Sequence, residues 1–592
     1  MKHTTESIMK TFISGKDAAL EDSINYFQQQ LRTFGLEVEE ISWLNPVPNV
    51  WSVHIQNKQC PLCFSNGKGA SQKAALASAL GEYFERLSTH YYFSDFYLGE
   101  SIANAEFVHH PAEKWFSIPN NNALPKGLLS KPLLQFYDPN NELVASDLID
   151  LPSSNQNRGI CALPFIQYST QKTVYVPINL IANLYASNGM SAGNTQNEAR
   201  VQALSEIFER YVKNKIIAEA ISLPAIPVNV LDRYPQAVEA IETLEQQGFP
   251  IFCFDASLGG EFPVICVVLL NPQNSTCYAS FGSHPNFGVA LERTITELLQ
   301  GRNLKDLDCF SPPSFDNESI ADLNNLETHF IDSSGIISWD LFNQQNDYMF
   351  VDWDFSGTTE QEFCNLMEIM QSHQTEVLMM DYQQFGVYTC RIIAVGMSEI
   401  YPPEDLLIAN NNMAIHWRDT LLSLPESKLE AEQYLTMIEQ LDDDNLDDFA
   451  KVRELLGLAT GKNNSWNTLR IGELKSMLAL AGQDLEQAKL WIDWTIDVNH
   501  ANFTQEKNLD YRCLQTLVDF RLNRPQENLA NYQRVFEKMF GKTTVNKMWQ
   551  YAIGEKTFFE LFKISPDLHE LPTHQQLITI YQKSLTQLAT LK

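Results

Sequence analysis

The octet ALGEYFER occupies residues 79–86, and 124 positions later the chain reads ALSEIFER at 203–210. At 100° per residue, Glu82, Glu85 and Arg86 fall within about 100° of arc, with Ser78 on the same side and Leu76, Leu80, Tyr83 and Leu87 opposite. In the second copy Glu198, Gln202, Glu206 and Glu209 follow at spacings of four, four and three, a stripe almost three turns long. For a lone Glu-x-x-Glu-Arg the ordinary reading is a solvated amphipathic helix. Its Glu82–Arg86 and Glu206–Arg210 pairs would then contribute about 0.3 kcal/mol each.

Two observations oppose that reading. The helix GASQKAALASALGEYFERLS (69–88) carries only Lys73, Glu82, Glu85 and Arg86 as charges, so most of its sides are suited to burial. Buried carboxylates must be paired or bind a metal, and Mg²⁺ satisfies that need. Each copy also follows a glycine-containing segment, SNGKGAS (65–71) and SNGMSAGNT (187–195). Asn66 lies 16 residues before Glu82 and Asn188 lies 18 before Glu206, which reads as a duplicated loop-plus-helix unit with a two-residue insertion. A third related helix, NFGVALERTITELLQGR (286–302), places Arg293 and Glu297 one turn apart. The three helices are expected to converge on one site. There glutamates would hold Mg²⁺, arginines would face phosphate oxygens, and loop N–H groups would favour an anion.

The remaining chemistry is mostly exclusion. KTFISGK (10–16) lacks the first glycine and the closing Ser or Thr of a phosphate loop, and neither G-x-S-x-G nor H-E-x-x-H occurs. His109-His110 is expected in a surface loop. Of ten cysteines only Cys60 and Cys63 stand close, and they are expected to lie reduced in a strand. The formal charge of −31 over 592 residues repels bare nucleic acid and anionic membrane and attracts basic partners. The opening MKHTTESIMKTFISGKDAALEDS has no apolar run of signal-peptide length, and no run of 18 apolar residues follows, so the expected location is cytoplasmic.

Strand-like runs VWSVHI (50–55), KTVYVPINLIANLY (172–185), FPIFCFD (249–255) and FPVICVVLL (262–270) mix with helical stretches over residues 1–424. From 425 to 592 helical periodicity takes over, as in RIGELKSMLALAGQDLEQAKLWIDWTIDV (470–498). The expected fold is α+β followed by an all-α domain of tetratricopeptide (TPR)-like hairpins, for partner contact or dimer support. The acidic run LDDDNLDDF (441–449) reads as a solvated helix start or turn, since it lacks the glycine and closing Glu of a calcium loop.

SALGEYFERLS, SNGMSAGNTQNEARVQALSEIFERYVKN and FGVALERTITELLQGR together resemble the nucleotide-binding signatures of the YcaO family. The resemblance implies a YcaO-type nucleotide-binding domain with an ATP site built without a phosphate loop. Carried over by motif, Glu82, Glu85, Glu198, Glu206, Glu209 and Glu297 are the Mg²⁺-shell candidates. Lys16, Ser23, Arg86, Ser191, Asn194, Gln202, Arg210 and Arg293 are the ATP contacts. Lys16 and Ser23 have a competing local reading, because SGKDAALEDSINYFQQQL (14–31) also fits a helix capped by Ser14.

Family members use ATP to activate a backbone amide, and no catalytic side chain is assigned by the resemblance. Azoline-forming members end in a Pro-rich segment, whereas this chain ends KSLTQLATLK, which argues against azoline synthesis. The stand-alone type implies instead assistance to the methylthiotransferase RimO in modifying a small-subunit ribosomal protein, with a homodimer expected. Two competitors stay open: a nucleotide-responsive adaptor that recruits a client through its helical tail, and a metal-dependent phosphohydrolase or glutamine-synthetase-like ligase.

Overall fold

The computed structural model describes residues 10–307 and 309–589. The first nine residues of the segment expected to carry no leader, and residues 590–592 of the terminal KSLTQLATLK, lie outside them. Three antiparallel sheets occupy the part before residue 395. The first is formed by β1 (Val38–Val47), β2 (Val50–Asn57) and β3 (Phe64–Gly69), in that order. The second contains β4 (Lys114–Phe116), β5 (Ile160–Gln167), β6 (Lys172–Pro177) and β7 (Met190–Gly193). The third holds β8 (Ile251–Asp255), β9 (Val264–Asn271) and β10 (Thr276–Ser283) in the order β10-β9-β8. The chain then returns with β11 (Val377–Tyr382) and β12 (Tyr388–Ala394) to complete the second sheet as β4-β5-β11-β12-β7, with β6 on β5.

In each sheet an edge strand runs into a helix: β3 into α2 (Gln72–Ser88), β7 into α3 (Gln196–Ala218) and β10 into α4 (Phe287–Leu298), with α1 (Leu20–Thr33) before them. The helices and sheets alternate around a ring. α2 packs between the first and second sheets, α3 between the second and third, and α4 between the third and first. Both faces of every helix are therefore covered except the stripe that points to the middle of the ring.

Close helix-on-strand packing is made possible by glycine. A Cβ on Gly67 would meet the Ala75 carbonyl oxygen at 2.0 Å and the Ala79 nitrogen at 2.4 Å, and one on Gly282 would meet Ala290 O at 2.9 Å and Thr294 N at 2.8 Å.

Three expectations are corrected. KTVYVPINLIANLY is half strand: the ladder stops at Pro177, which has no N–H to continue it, and a helix spans Ile178–Tyr185. Ser14 caps nothing, because α1 begins at Leu20 and residues 10–19 form an irregular lead-in with Gly15 at φ +73°. Cys60 and Cys63 are free and buried, but in the turn between β2 and β3 rather than in a strand.

Beyond β12 no strand occurs among the described residues. α6 (Ala431–Asp443, counting α5 as Thr359–Ser372), α7 (Ile471–Ala481) and α8 (Leu485–Asn499) belong to a core that already includes Ala414, Trp417 and Leu421. The acidic run is more than solvated: Asp442 and Asp448 bind the buried Lys475 ammonium at 2.5 and 2.6 Å. The last helix, α9 (Pro572–Ala589), turns back, and its Leu577, Ile580 and Tyr581 join the core around α1 and α2. No helix among the described residues is long and apolar enough to cross a membrane.

Gly67→Ala is expected to destabilise the protein by about 3 kcal/mol. Gly81→Ala, in the α2 interior with nothing within 4 Å of the added methyl, should be neutral or stabilising by up to about 1 kcal/mol. Paired thermal melts of the two variants check both directions.

Candidate functional site

The three strand–helix units share one register. Ser71, Thr195 and Asn286 cap α2, α3 and α4, their side-chain oxygens accepting from the N–H of Ala74, Glu198 and Val289 at 3.2, 3.2 and 3.1 Å. Eleven residues past each cap stands a glutamate, Glu82, Glu206 and Glu297. Seven past each cap stand Ser78, Gln202 and Arg293, and Arg293 donates to Gln202 Oε1 at 2.9 Å across the ring. The two-residue insertion read from Asn66 and Asn188 is absent. Asn66 lies in β3 against His54, whereas Asn188 precedes β7 and donates to Ser398 O at 2.8 Å, so the two asparagines are not equivalent.

The ring encloses a cavity of about 1200 Å³, and all fourteen candidate residues line it. At one end Glu198 ties the lead-in to α3. Lys16 Nζ lies 3.2 Å from its carboxylate, the Asp17 N–H donates at 2.9 Å, and Asn194 Nδ2 donates at 3.1 and 2.9 Å. Asn194 Oδ1 in turn accepts from Ser23 Oγ at 2.8 Å, with buried Ser191 nearby on β7. Burial pushes the Glu198 carboxyl up, but Lys16, the Asp17 N–H and Asn194 outweigh it and hold the group below its ordinary value.

In the middle, Glu82 pairs with Arg86, Glu206 with Arg210 at 2.9 Å, and Glu297 with Lys68. Glu85 and Glu209 have no ion pair among the described residues. Burial, with Glu206 and Glu82 beside it, raises the Glu85 carboxyl well above the carboxylate range. Burial also raises Glu82, against the pull of Arg86 and Lys68.

Such a set of crowded oxygen donors is what a hard divalent cation relieves. Among the described residues no three His, Cys, Asp or Glu side chains are drawn together as a metal cage, and Arg86, Arg210 and Lys68 occupy three of the carboxylates. The donor chemistry fits Mg²⁺, and the adjoining arginines fit polyphosphate.

A family model described as "YcaO cyclodehydratase, ATP- and Mg²⁺-binding" matches residues 66–398, and one for the YcaO cyclodehydratase C-terminal domain matches 414–588. The chain belongs to the YcaO family. ATP and Mg²⁺ are accordingly its cofactors. It is 63% identical over 574 residues to the ribosomal protein S12 methylthiotransferase accessory factor YcaO of Escherichia coli K12, covering 97% of this chain and 98% of that protein. It is 59% identical over 575 residues to an uncharacterized protein of Haemophilus influenzae, at 97% and 98% coverage. Among solved structures, YcaO from Methanopyrus kandleri bound with AMPPCP and Mg²⁺ matches at 15% identity and a TM-score of 0.39, covering 65% of this chain and 93% of that one.

Three lining residues of this YcaO chain escaped the sequence reading. Lys68 alternates inward on β3 between two glycines, and burial lowers its ammonium to about 8. The Gly-Lys-Gly in a strand that feeds a helix was the available signal. Lys213 lies one turn past Glu209 and donates to His329 O at 2.7 Å. His284 sits in the turn before α4. Its Nδ1 accepts the Asn286 N–H at 3.0 Å, and burial beside Arg293 and Lys16 lowers it to about 3, leaving a neutral ring against Gly15.

Behind His284 lies Glu362 of α5, 2% exposed and raised to about 7 by burial and by Asp17. A carboxyl raised in the folded state is harmless below its unfolded value and destabilises once ionised. Glu362→Gln should therefore melt at a higher temperature than the wild type at pH 8, with the gap closing as pH falls from about 7 to about 4.5.

Proposed function

We propose that the cavity binds Mg²⁺-ATP and uses it to activate a peptide backbone amide by phosphorylation, in support of RimO-dependent β-methylthiolation of a small-subunit ribosomal protein. The observation that carries the reading is the common register, which delivers Glu82, Glu206 and Glu297 from three separate sheets to one enclosure. Glu82, Glu85, Glu206, Glu209 and Glu297 are the residues to hold Mg²⁺, which when bound supplies positive charge against the phosphate oxygens. Arg86, Arg210 and Arg293 neutralise phosphate charge that remains exposed. Lys16, Ser23, Ser191 and Asn194 place the nucleotide at the other end of the cavity, Gln202 does so beside Arg293, and Glu198, the sixth Mg²⁺-shell candidate, also fixes Lys16.

No side-chain nucleophile is needed. Activation of an amide oxygen by phosphoryl transfer depends on positioning and charge neutralisation, which a walled, cation-lined cavity provides. Membership of the family together with 63% identity to an S12 methylthiotransferase accessory factor supports the ribosomal assignment.

A second reading has an observation of its own. The last helix docks behind α2, Tyr581 Oη donating to Val108 O at 2.6 Å and His90 Nε2 lying 3.1 Å from Ser584 Oγ. A nucleotide-dependent change in α2 would reach the helical region directly, as an adaptor requires.

Glu82→Gln and Arg293→Ala separate the two. ATP turnover is expected to fall by about 100-fold in each, and the extra thermal stabilisation by ATP in Mg²⁺ over EDTA to shrink. Full methylthiolation without turnover would leave the adaptor standing, and unchanged turnover in both variants would remove these residues from the site.

A further inference from the structure

Between Lys305 and Arg391 the chain has 16 Asp and Glu residues and no Lys or Arg. Two of these acids are neutralised from outside, Asp352 by Arg233 and Asp381 by Arg200. Asp316, Glu318, Asp322 and Asp340 have no ion pair among the described residues. Asp316 accepts from the Ser319 N–H, Asp322 from both the N–H and the side-chain amide of Asn324, and Asp340 from the Asn317 amide.

The same stretch presents an aromatic strip to solvent. Phe315, 74% exposed, stacks on Trp339, 41% exposed, with ring centroids 6.2 Å apart. Trp339 meets Phe342 at 6.0 Å, and Phe342 meets Phe252 of the edge strand β8 at 5.7 Å, Phe252 being 42% exposed. The backbone beneath is fixed: the Ser314 N–H donates to Ile337 O and the Trp339 N–H to Ser314 O, each at 3.0 Å. Four rings on a rigid base exceed what scattered surface apolar residues require.

This stretch also reaches the cavity. The helix Leu323–Ile331 is bound to the strip's backbone through Asn325, whose Nδ2 donates to Ile336 O at 2.9 Å and whose Oδ1 accepts the Ile336 N–H at 2.7 Å. The residues that end this helix, Phe330 to Ser333, line the cavity, and Phe330 lies under Arg210 at 4.5 Å.

We propose that the Phe315–Trp339–Phe342–Phe252 strip with its unpaired carboxylates is the docking face for a basic polypeptide, and that it leads that polypeptide to the cavity. Charge complementarity names the occupant. Aromatic faces attract guanidinium and ammonium groups, the flanking acids pair with the same cations, and the aliphatic stems of Arg and Lys cover the rings. An acidic or neutral partner would leave the carboxylates unrelieved. The docking stands independently, whereas its link to the cavity rests on the amide-activating reading above.

The test uses the full chain and fluorescein-labelled peptides of about 20 residues, one of Lys, Arg, Leu and Gly and one with Glu and Asp replacing the cations. The wild type should bind the basic peptide, more weakly as salt rises from about 0.05 to about 0.5 M, and should not bind the acidic one. Phe315→Ala/Trp339→Ala should weaken binding about tenfold. Asp316→Asn/Glu318→Gln/Asp322→Asn, in which asparagine retains both caps, should weaken it and flatten the salt dependence.

Both variants should keep the wild-type thermal shift with ATP and Mg²⁺, which separates loss of docking from loss of the nucleotide site. The proposal is overturned if the basic peptide binds both variants as tightly as the wild type, or if the acidic peptide binds equally. It is also overturned if the ring variant only dissociates a dimer, which would assign the face to a second copy.

Discussion

How closely a helix can lie on the strand that precedes it decides everything inside this cavity. Gly67 and Gly282 touch the residues eight positions on, Ala75 and Ala290, and Gly69 and Gly193 touch those five to six positions on, including Ala75 and Ala199. These contacts fix where each helix starts and how it is rotated. The rotation aims the glutamate eleven residues past the cap at the centre. A methyl group at such a strand position would lift the helix by more than the tolerance of a charged site, so backbone proximity governs electrostatics here.

The carboxylates that result are crowded, and the protein manages them asymmetrically. The first two units carry their own arginine fifteen residues past the cap, Arg86 and Arg210, whereas the third has Gly301 at that place and relies on Lys68 from the first sheet. Three walls with a common register therefore do not make a symmetric room. Polyphosphate with Mg²⁺ is itself polar from end to end, and the Lys16–Glu198 tie at one end distinguishes the two directions.

Much of this was legible in the sequence because it is local. Helical spacing put Glu82, Glu85 and Arg86 on one face, near-identical octets exposed the repeat, and the scarcity of other charges in 69–88 signalled burial. The misreadings came from contacts across the chain. Matching Asn66 to Asn188 followed letters, while the true register is set by caps and by glycines pressed against helices. Ser14 looked like a cap because the draw of Glu198 on Lys16 and Asp17, 181 residues from Asp17, leaves no local trace. Lys68 and His284 were passed over since their meaning depends on which way a strand or turn faces.

The return of β11 and β12 sets the order in which the molecule can be completed. β7, made by residue 193, pairs only with β12, which ends at Ala394, and the outer side of α2 waits for α9 near the end of the chain. A ribosome-bound fragment would hold the second acidic helix without its sheet for some two hundred residues of synthesis. Assembly must therefore be late and governed by distant contacts, the slow kind of folding, and the cavity is among the last parts of the molecule to close.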